Sequence, residues 1–190
     1  MDRVARFEKV SFEQFYSDCV DCFWEYNFQY KNEAEQNEIK LLVRSWYDNI
    51  KLPERATMGS AGYDFFLPFK IELAQEEIFR FPTGIRCEMN SGWVLMMFPR
   101  SGIGFKYGIR FANTAGVIDS DYYHSSNEGH IWAKVVNDWP NAERVSFDVG
   151  AAFAQGILMP FGITYNDSVT AVRDGGLGST DGKSENPKNK

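Results

Sequence analysis

From Lys51 onward, glycine and proline punctuate the chain closely, so that the apolar runs are short. The runs read IELAQ, EIFRFPTGI, GWVLMMFPR, GIRFAN, HIWAKVVN, RVSFDVG and FAQGILMPFGI. Valine, isoleucine and aromatic residues dominate them, as expected of strands on a pleated, half-buried surface. No alternation of strand and helix is visible among them. A mostly β architecture follows: a sandwich, a barrel or a jelly roll.

The first fifty residues follow a different period. Residues 1–10 alternate loosely, as a short strand does. In SFEQFYSDCVDCFWEY, residues Phe12, Phe15, Tyr16, Cys19, Val20 and Phe23 recur at helical spacing, with Ser11 as N-cap. A second helix is predicted from about Glu33 to Asn49. Asn32 and Glu35 stand in capping-box spacing there, and Ile39, Leu42, Val43, Trp46 and Ile50 form one stripe. The pattern changes again at Pro53, so the two helices read as an addition to a β domain. The tail, RDGGLGSTDGKSENPKNK, has almost no apolar content and reads as a flexible arm. The whole is one domain, 1–190, with a helical insertion at 11–50, a β core at 51–172 and a C-terminal arm at 173–190.

With 44% hydrophobic and 16% aromatic residues in 190, burial can outweigh the ordering entropy of one compact domain. The net charge of -6 disfavours general adhesion to nucleic acid or to anionic membranes. An anionic ligand must therefore be held by a local cluster of donors. The charged start, MDRVARFEKV, lacks a signal-like apolar core, and no run is long enough to span a bilayer, so a cytoplasmic location is expected. Cys19, Cys22 and Cys87 are too few for a disulfide framework. CVDC has the spacing of a zinc or redox half-site, but no second pair completes it, and two core thiols are the simpler reading.

Four polar clusters carry functional groups. MGSAGYDFF (58–66) sets Asp64 after a small-residue turn. FPRSGIGFKYGI (98–109) combines Arg100 and Ser101 with three glycines, a composition suited to an N–H nest for phosphate oxygens. Ser101 is not read as a nucleophile, because the chain's two histidines offer it no convincing base. NTAGVIDSDYY (113–123) places Asp119 and Asp121 two residues apart. On a strand they would share a face, and mutual repulsion would raise one pKa, as suits a carboxylate that takes a proton from water. Alternatively, both cap the turn before YYHSSNEG. In the tail, Arg173, Ser179, Thr180 and Lys183 alternate with glycines, a segment able to wrap a polyphosphate or to serve only as a linker.

In this order, SAGYDF, PRSGIGFKYGI, NTAGVIDSDYY, GAAFAQGILMPF and RDGGLGSTDGK resemble the five ordered motifs of the homotrimeric dUTP pyrophosphatases, or dUTPases, from Lys51 to about Lys183. The helical segment is similar to the insertion of some dUTPases from Gram-positive bacteria and their phages. The resemblance implies a jelly roll that trimerises, with active sites at subunit interfaces and the C-terminal arm closing a neighbour's site. It implies hydrolysis of dUTP to dUMP and pyrophosphate, with Mg²⁺ bridging phosphate oxygens and no direct protein ligand to the metal. Asp119 matches the base that activates water, and Asp121 the residue that supports the hairpin. Tyr122 matches the ring that packs on deoxyribose and excludes a 2′-hydroxyl. Main-chain groups from Asn113 through Gly116, Val117 and Ile118 would read uracil, with the Asn113 amide and Trp132 nearby. Arg100, Ser101 and Gly102 match the phosphate turn, Gln155 the fourth-motif glutamine, and Asp64 the residue that holds waters on the metal. Arg173 matches the arm arginine at the γ-phosphate, with Ser179, Thr180 and Gly178 beside it.

Two positions depart from the family pattern. Ala151 and Ala152 replace an Asp-Arg pair, removing a cation that Arg110, Lys106 or a neighbouring subunit would have to replace. Leu177 replaces a phenylalanine that stacks on uracil, which weakens an aromatic contribution on the order of 1 kcal/mol. Two further readings compete. dCTP deaminases share the hairpin but use a glutamate on the next strand, where this chain has Lys134. The helical segment, with Phe12, Phe15, Trp24 and Trp46, is either a partner surface of phage type or a hairpin packed onto the barrel.

Overall fold

Period-two alternation and period-3.6 stripes each produce the element they predict. The structure, a computed structural model, describes residues 2–23, 32–139, 144–171 and 173. Strand β1 (Ala5–Lys9) leads into helices α1 (Phe12–Phe23) and α2 (Glu33–Asp48). Then follow β2 (Tyr63–Phe66), β3 (Ile71–Ala74), β4 (Ile78–Pro82), β5 (Ile85–Met89), β6 (Trp93–Pro99), the short helix α3 (Ser101–Tyr107), β7 (Ile109–Phe111) and β8 (Gly116–Asp119). A 3₁₀ turn (Ser120–His124), β9 (Trp132–Asn137), β10 (Arg144–Phe147) and β11 (Ala152–Pro160) complete the described chain.

Among the described residues all strand pairs are antiparallel. One sheet has the order β2-β11-β6-β8 and another β4-β9-β7, and two-stranded pairs β1-β5 and β3-β10 flank them. Inward residues of both larger sheets, Phe65, Leu95, Phe81 and Val135 among them, meet in one core, and Phe81 packs edge-on against Phe153 at 5.1 Å. Each fully buried aromatic or aliphatic side chain contributes roughly 1.5–3 kcal/mol of apolar transfer.

The helices close one side of this core. Ser11 Oγ accepts from the Gln14 N–H at 3.1 Å, and the Asn32 side chain accepts from the Glu35 N–H at 3.0 Å, so both caps form as their spacing predicts. Phe12, Phe15 and Cys19 of α1 and Val43 of α2 are buried. Trp46 packs on Phe69 at 4.9 Å and on Phe23 at 5.5 Å. Phe12, Phe15 and Trp46 are therefore core residues rather than a free partner surface, while Trp24 lies outside the described residues. Of the predicted α2 stripe, Leu42 faces solvent, because the helix turns its Val43 edge inward.

The CVDC pair is also structural. Burial pushes the Cys22 thiol up to about 12 and the Cys19 thiol higher still. Among the described residues no group of three or more His, Cys, Asp or Glu side chains could cage a metal ion. None of the described helices is long and apolar enough to cross a membrane.

Candidate active site

After β7 the chain reverses at Asn113–Ala115. Thr114 adopts φ 68°, and the Ala115 N–H donates to the Asn113 carbonyl at 2.7 Å. The chain then enters β8, the edge strand of its sheet, where Gly116 faces Met97 and Asp119 faces Val94 on β6. A Cβ on Gly116 would stand 3.1 Å from the Met97 Cβ, so glycine lets β8 lie this close. An edge strand leaves alternate N–H and C=O groups unpaired, and these can read the alternating acceptors and donor on the edge of a flat heterocycle. Val117 is exposed on β8, and Ile118 turns toward the core.

Asp119 ends the strand and Asp121 lies in the 3₁₀ turn, so the two carboxylates do not share one strand face as the sequence suggests. A guanidinium bridges them instead. Arg173 donates through Nη2 to Asp119 Oδ2 at 2.5 Å and through Nε to Asp121 Oδ1 at 3.0 Å, with its Cζ 5.7 Å from the centre of the Tyr122 ring.

Tyr122 is buried. Its hydroxyl donates to the His130 carbonyl at 2.8 Å and accepts from the Asn127 amide at 2.9 Å. Burial raises the phenol above its ordinary pKa, and the Asn127 hydrogen bond partly opposes that shift. The loop after the turn is tied to α1: Glu128 accepts from the Ser11 N–H at 2.7 Å and from its hydroxyl at 2.6 Å. His130 Nδ1 lies 2.5 Å from Asp18.

A second group of predicted residues gathers at the far end of β6. Asp64 on β2 and Gln155 on β11 are direct partners in the sheet, and Gln155 also donates to the Pro99 carbonyl at 3.4 Å. Arg100 Nε meets Asp64 at 3.1 Å. Ser101 and Gly102 open α3, so the expected glycine-rich loop is a short helix. Buried Ile103 anchors it, and Gly108, at φ 62°, caps it in the left-handed region.

The two groups are not adjacent within one chain. Arg100 follows Val94, the partner of Asp119, by six residues, about 20 Å at the usual strand rise. Trp132 lies behind the hairpin group, its ring 6.1 Å from that of His130, and Arg80 stacks on its ring at 4.2 Å while pairing with Asp21 of α1. Leu177, Gly178, Ser179 and Thr180 lie outside the described residues.

Of the cations expected to replace the missing fourth-motif arginine, Arg110 is already paired with Asp138 at 2.8 Å. The ammonium that borders this position is Lys51, 5.5 Å from the Phe66 ring and 3.7 Å from where a Gly150 Cβ would stand. Lys51, Asp18, Glu128 and His130 escape sequence reasoning because their partners are distant in the chain. Only the SxxQ and SNEG turn chemistry hints that the loop and the helix start are capped.

A family model described as dUTPase matches residues 48–181. A deoxyuridine 5′-triphosphate nucleotidohydrolase of Lactococcus lactis is 39% identical over 134 residues, covering 69% of this chain and 88% of its own. A namesake from Wolinella succinogenes is 31% identical over 156 residues, covering 80% and 99%. Among solved structures, a dUTPase from Streptococcus mutans is 37% identical, with a TM-score of 0.55 over 62% of this chain and 90% of its own. A dUTPase from phage phi11 of S. aureus shares the fold at 21% identity, with a TM-score of 0.54 over 65% and 92%. Helix α1 and nearly all of α2 lie before the matched family range.

Proposed function

This chain belongs to the dUTPase family, and from that premise we propose that it hydrolyses dUTP to dUMP and pyrophosphate, with Asp119 as the base that activates the attacking water. The observation that carries this assignment is the convergence of Asp119, Tyr122 and Arg173 at one edge of the sheet. They are the candidate base, the sugar-facing ring and the cation of the arm.

Asp119 takes a proton from water as the oxygen attacks the α-phosphorus in line, and pyrophosphate leaves on the opposite side. For that the carboxylate must be free. Arg173 pairs with it and with Asp121, and a triphosphate, carrying more charge than two carboxylates, would draw the guanidinium away. Base and phosphate clamp thus become available together. Uracil lies against the unpaired edge of β8, where main-chain groups read it and the close approach leaves no room for a thymine methyl. Tyr122 lies under the deoxyribose.

Arg100, with the Ser101 hydroxyl and the turn N–H groups, holds the triphosphate. Charge-assisted hydrogen bonds of this kind contribute about 1.5–3 kcal/mol each. Because Arg100 lies about 20 Å along β6 from Asp119, the triphosphate of a nucleotide on one chain's hairpin reaches the phosphate turn of another chain. That supports sites shared between subunits of a homotrimer. Exposed Met159 at the end of β11, and Phe161, Ile163, Tyr165 and Val169 in the segment after it, offer apolar area for such an assembly.

Magnesium fits this arrangement without a protein cage. One carboxylate, Asp64, stands beside the phosphate turn, which matches an ion that keeps its waters and binds mainly phosphate. When bound, Mg²⁺ would neutralise charge on the phosphate oxygens, with Asp64 orienting its waters. Deamination is disfavoured, since Lys134 stands exposed on β9 where a glutamate would be needed.

The test is pyrophosphate release from dUTP, dTTP, dCTP and UTP with Mg²⁺, beside the Asp119→Asn variant. Selective cleavage of dUTP is expected, falling about 10³-fold in the variant. A folded assembly that turns over no nucleotide would sink the assignment.

A further inference from the structure

His130 is fully buried, and both of its ring nitrogens are engaged. The Gly84 N–H donates to Nε2 at 2.8 Å, so in the neutral ring the proton resides on Nδ1, which donates to Asp18 Oδ2 at 2.5 Å. Asp18 belongs to α1, and the same oxygen accepts from the Gln14 amide at 2.9 Å. On the other side of the ring, the His130 carbonyl accepts the Tyr122 hydroxyl. A part-buried hydrogen bond therefore ties α1 to the His130 ring, and a buried one ties the His130 main chain to Tyr122.

Around these bonds the backbone has little freedom. Gly129 sits at φ 70°, and a Cβ there would come within 2.6 Å of the Tyr123 Cα and 2.9 Å of the Tyr122 carbonyl. Ser125 donates to that same carbonyl at 2.6 Å, and Glu128 caps α1 through Ser11. Displacing the Asp18 end therefore moves His130, and with it the anchor of the Tyr122 ring.

We infer that Asp18 and His130 are positioning residues that fix the height of the Tyr122 ring, making helix α1 a determinant of deoxyribose-over-ribose selectivity. The inference rests on the dUTPase reading above, in which Tyr122 packs on the sugar. A ring that must exclude one hydroxyl cannot tolerate even a displacement of about 1 Å. A rigid polar chain holds such a position better than apolar packing, because each of its hydrogen bonds has a direction.

The experiment compares kcat/KM for dUTP and UTP in the wild type, Asp18→Ala, Asp18→Asn and Tyr122→Phe, with melting temperature and assembly state measured alongside. Asp18→Ala and Tyr122→Phe should each lower the dUTP-to-UTP ratio about tenfold, and the double variant no further, since both cut one chain. Asp18→Asn keeps an acceptor for Nδ1–H and should stay within about twofold of wild type. A merely structural role would lower the melting temperature and the rates for both nucleotides together, leaving the ratio intact, and that result overturns the inference. If Asp18→Ala does not fold, Tyr122→Phe decides, because it retains the ring and removes only the hydroxyl. A wild type without preference for dUTP would overturn the functional reading itself. A selective wild type whose ratio survives both cuts would overturn this inference alone.

Discussion

The two halves of the site are held by opposite means. The hairpin half, Asp119 to His130, is braced from behind by part-buried hydrogen bonds to α1 and its Ser11 cap, and its tyrosine is itself buried. The phosphate half is held by the two turns of α3 and by a part-exposed ion pair between Arg100 and Asp64. Selecting a sugar requires a surface that does not yield, whereas clamping a mobile triphosphate requires charges that can rearrange. On the proposed function, rigidity thus falls where shape would be read and exposure where charge would be read.

Separation of the halves has the largest testable consequence. Asp119→Asn and Arg100→Ala each cripple a different half, and neither should turn over dUTP well alone. Mixed in equal amounts, unfolded and refolded together, they should recover about a quarter of wild-type activity if each site takes its halves from different chains. No recovery, with mixed assemblies demonstrated by mass, would mean that both halves act within one chain.

Next come substitutions that should separate affinity from stability. Arg100→Ala should raise KM for dUTP about tenfold to a hundredfold, with little change in melting temperature, since it removes a charge-assisted contact from an exposed side chain. Two glycines make the same contrast in backbone terms. Gly129→Ala should lower stability by roughly 2–3 kcal/mol and Tm by about 5–10 °C, because it combines a left-handed residue with a clash against Tyr123. At Gly102 a Cβ meets nothing within 4 Å, so Gly102→Ala should leave Tm unchanged or slightly higher while disturbing the phosphate turn. Equal losses of stability at the two glycines would erase the distinction between a braced and an open half.

Local chemistry made much of this legible in the sequence, and non-local pairing hid the rest. Helix starts at Ser11 and Asn32 follow from cap residues within four positions of their partners, and the strands follow from alternation between turn residues. The order of the motifs along the chain is itself a signature of the family, and it singles out Asp119, Tyr122 and Arg100 as candidates. Asp18 and His130 are 112 residues apart, and no pattern in either neighbourhood points to the other. Arg173 could be matched to a phosphate, yet its partners Asp119 and Asp121 lie more than fifty residues away in the chain. The glycine-rich PRSGIG stretch reads as a loop by composition. It is helical because one apolar residue, Ile103, is buried beneath it.

The smallest expected effect concerns a third tether of the braced half. Tyr123, next to Tyr122, donates its hydroxyl to Glu8 of β1 at 2.6 Å, and Arg86 of β5 contacts both. The Tyr123 hydrogen bond holds the Glu8 carboxyl below its ordinary range against the opposing effect of burial, with Arg86 and Arg6 adding to the shift. A carboxyl depressed in the folded state contributes stability above its unfolded pKa, about 4.3, and loses it as pH falls through the folded value. Wild-type protein should therefore lose melting temperature more steeply than Glu8→Gln between about pH 5 and pH 3, by a gap of about 2 °C. Above pH 6 the two curves should run parallel, with the wild type higher. Parallel curves through the acid range would mean that the Glu8 tether contributes nothing, leaving the links to α1 as the support of the hairpin half.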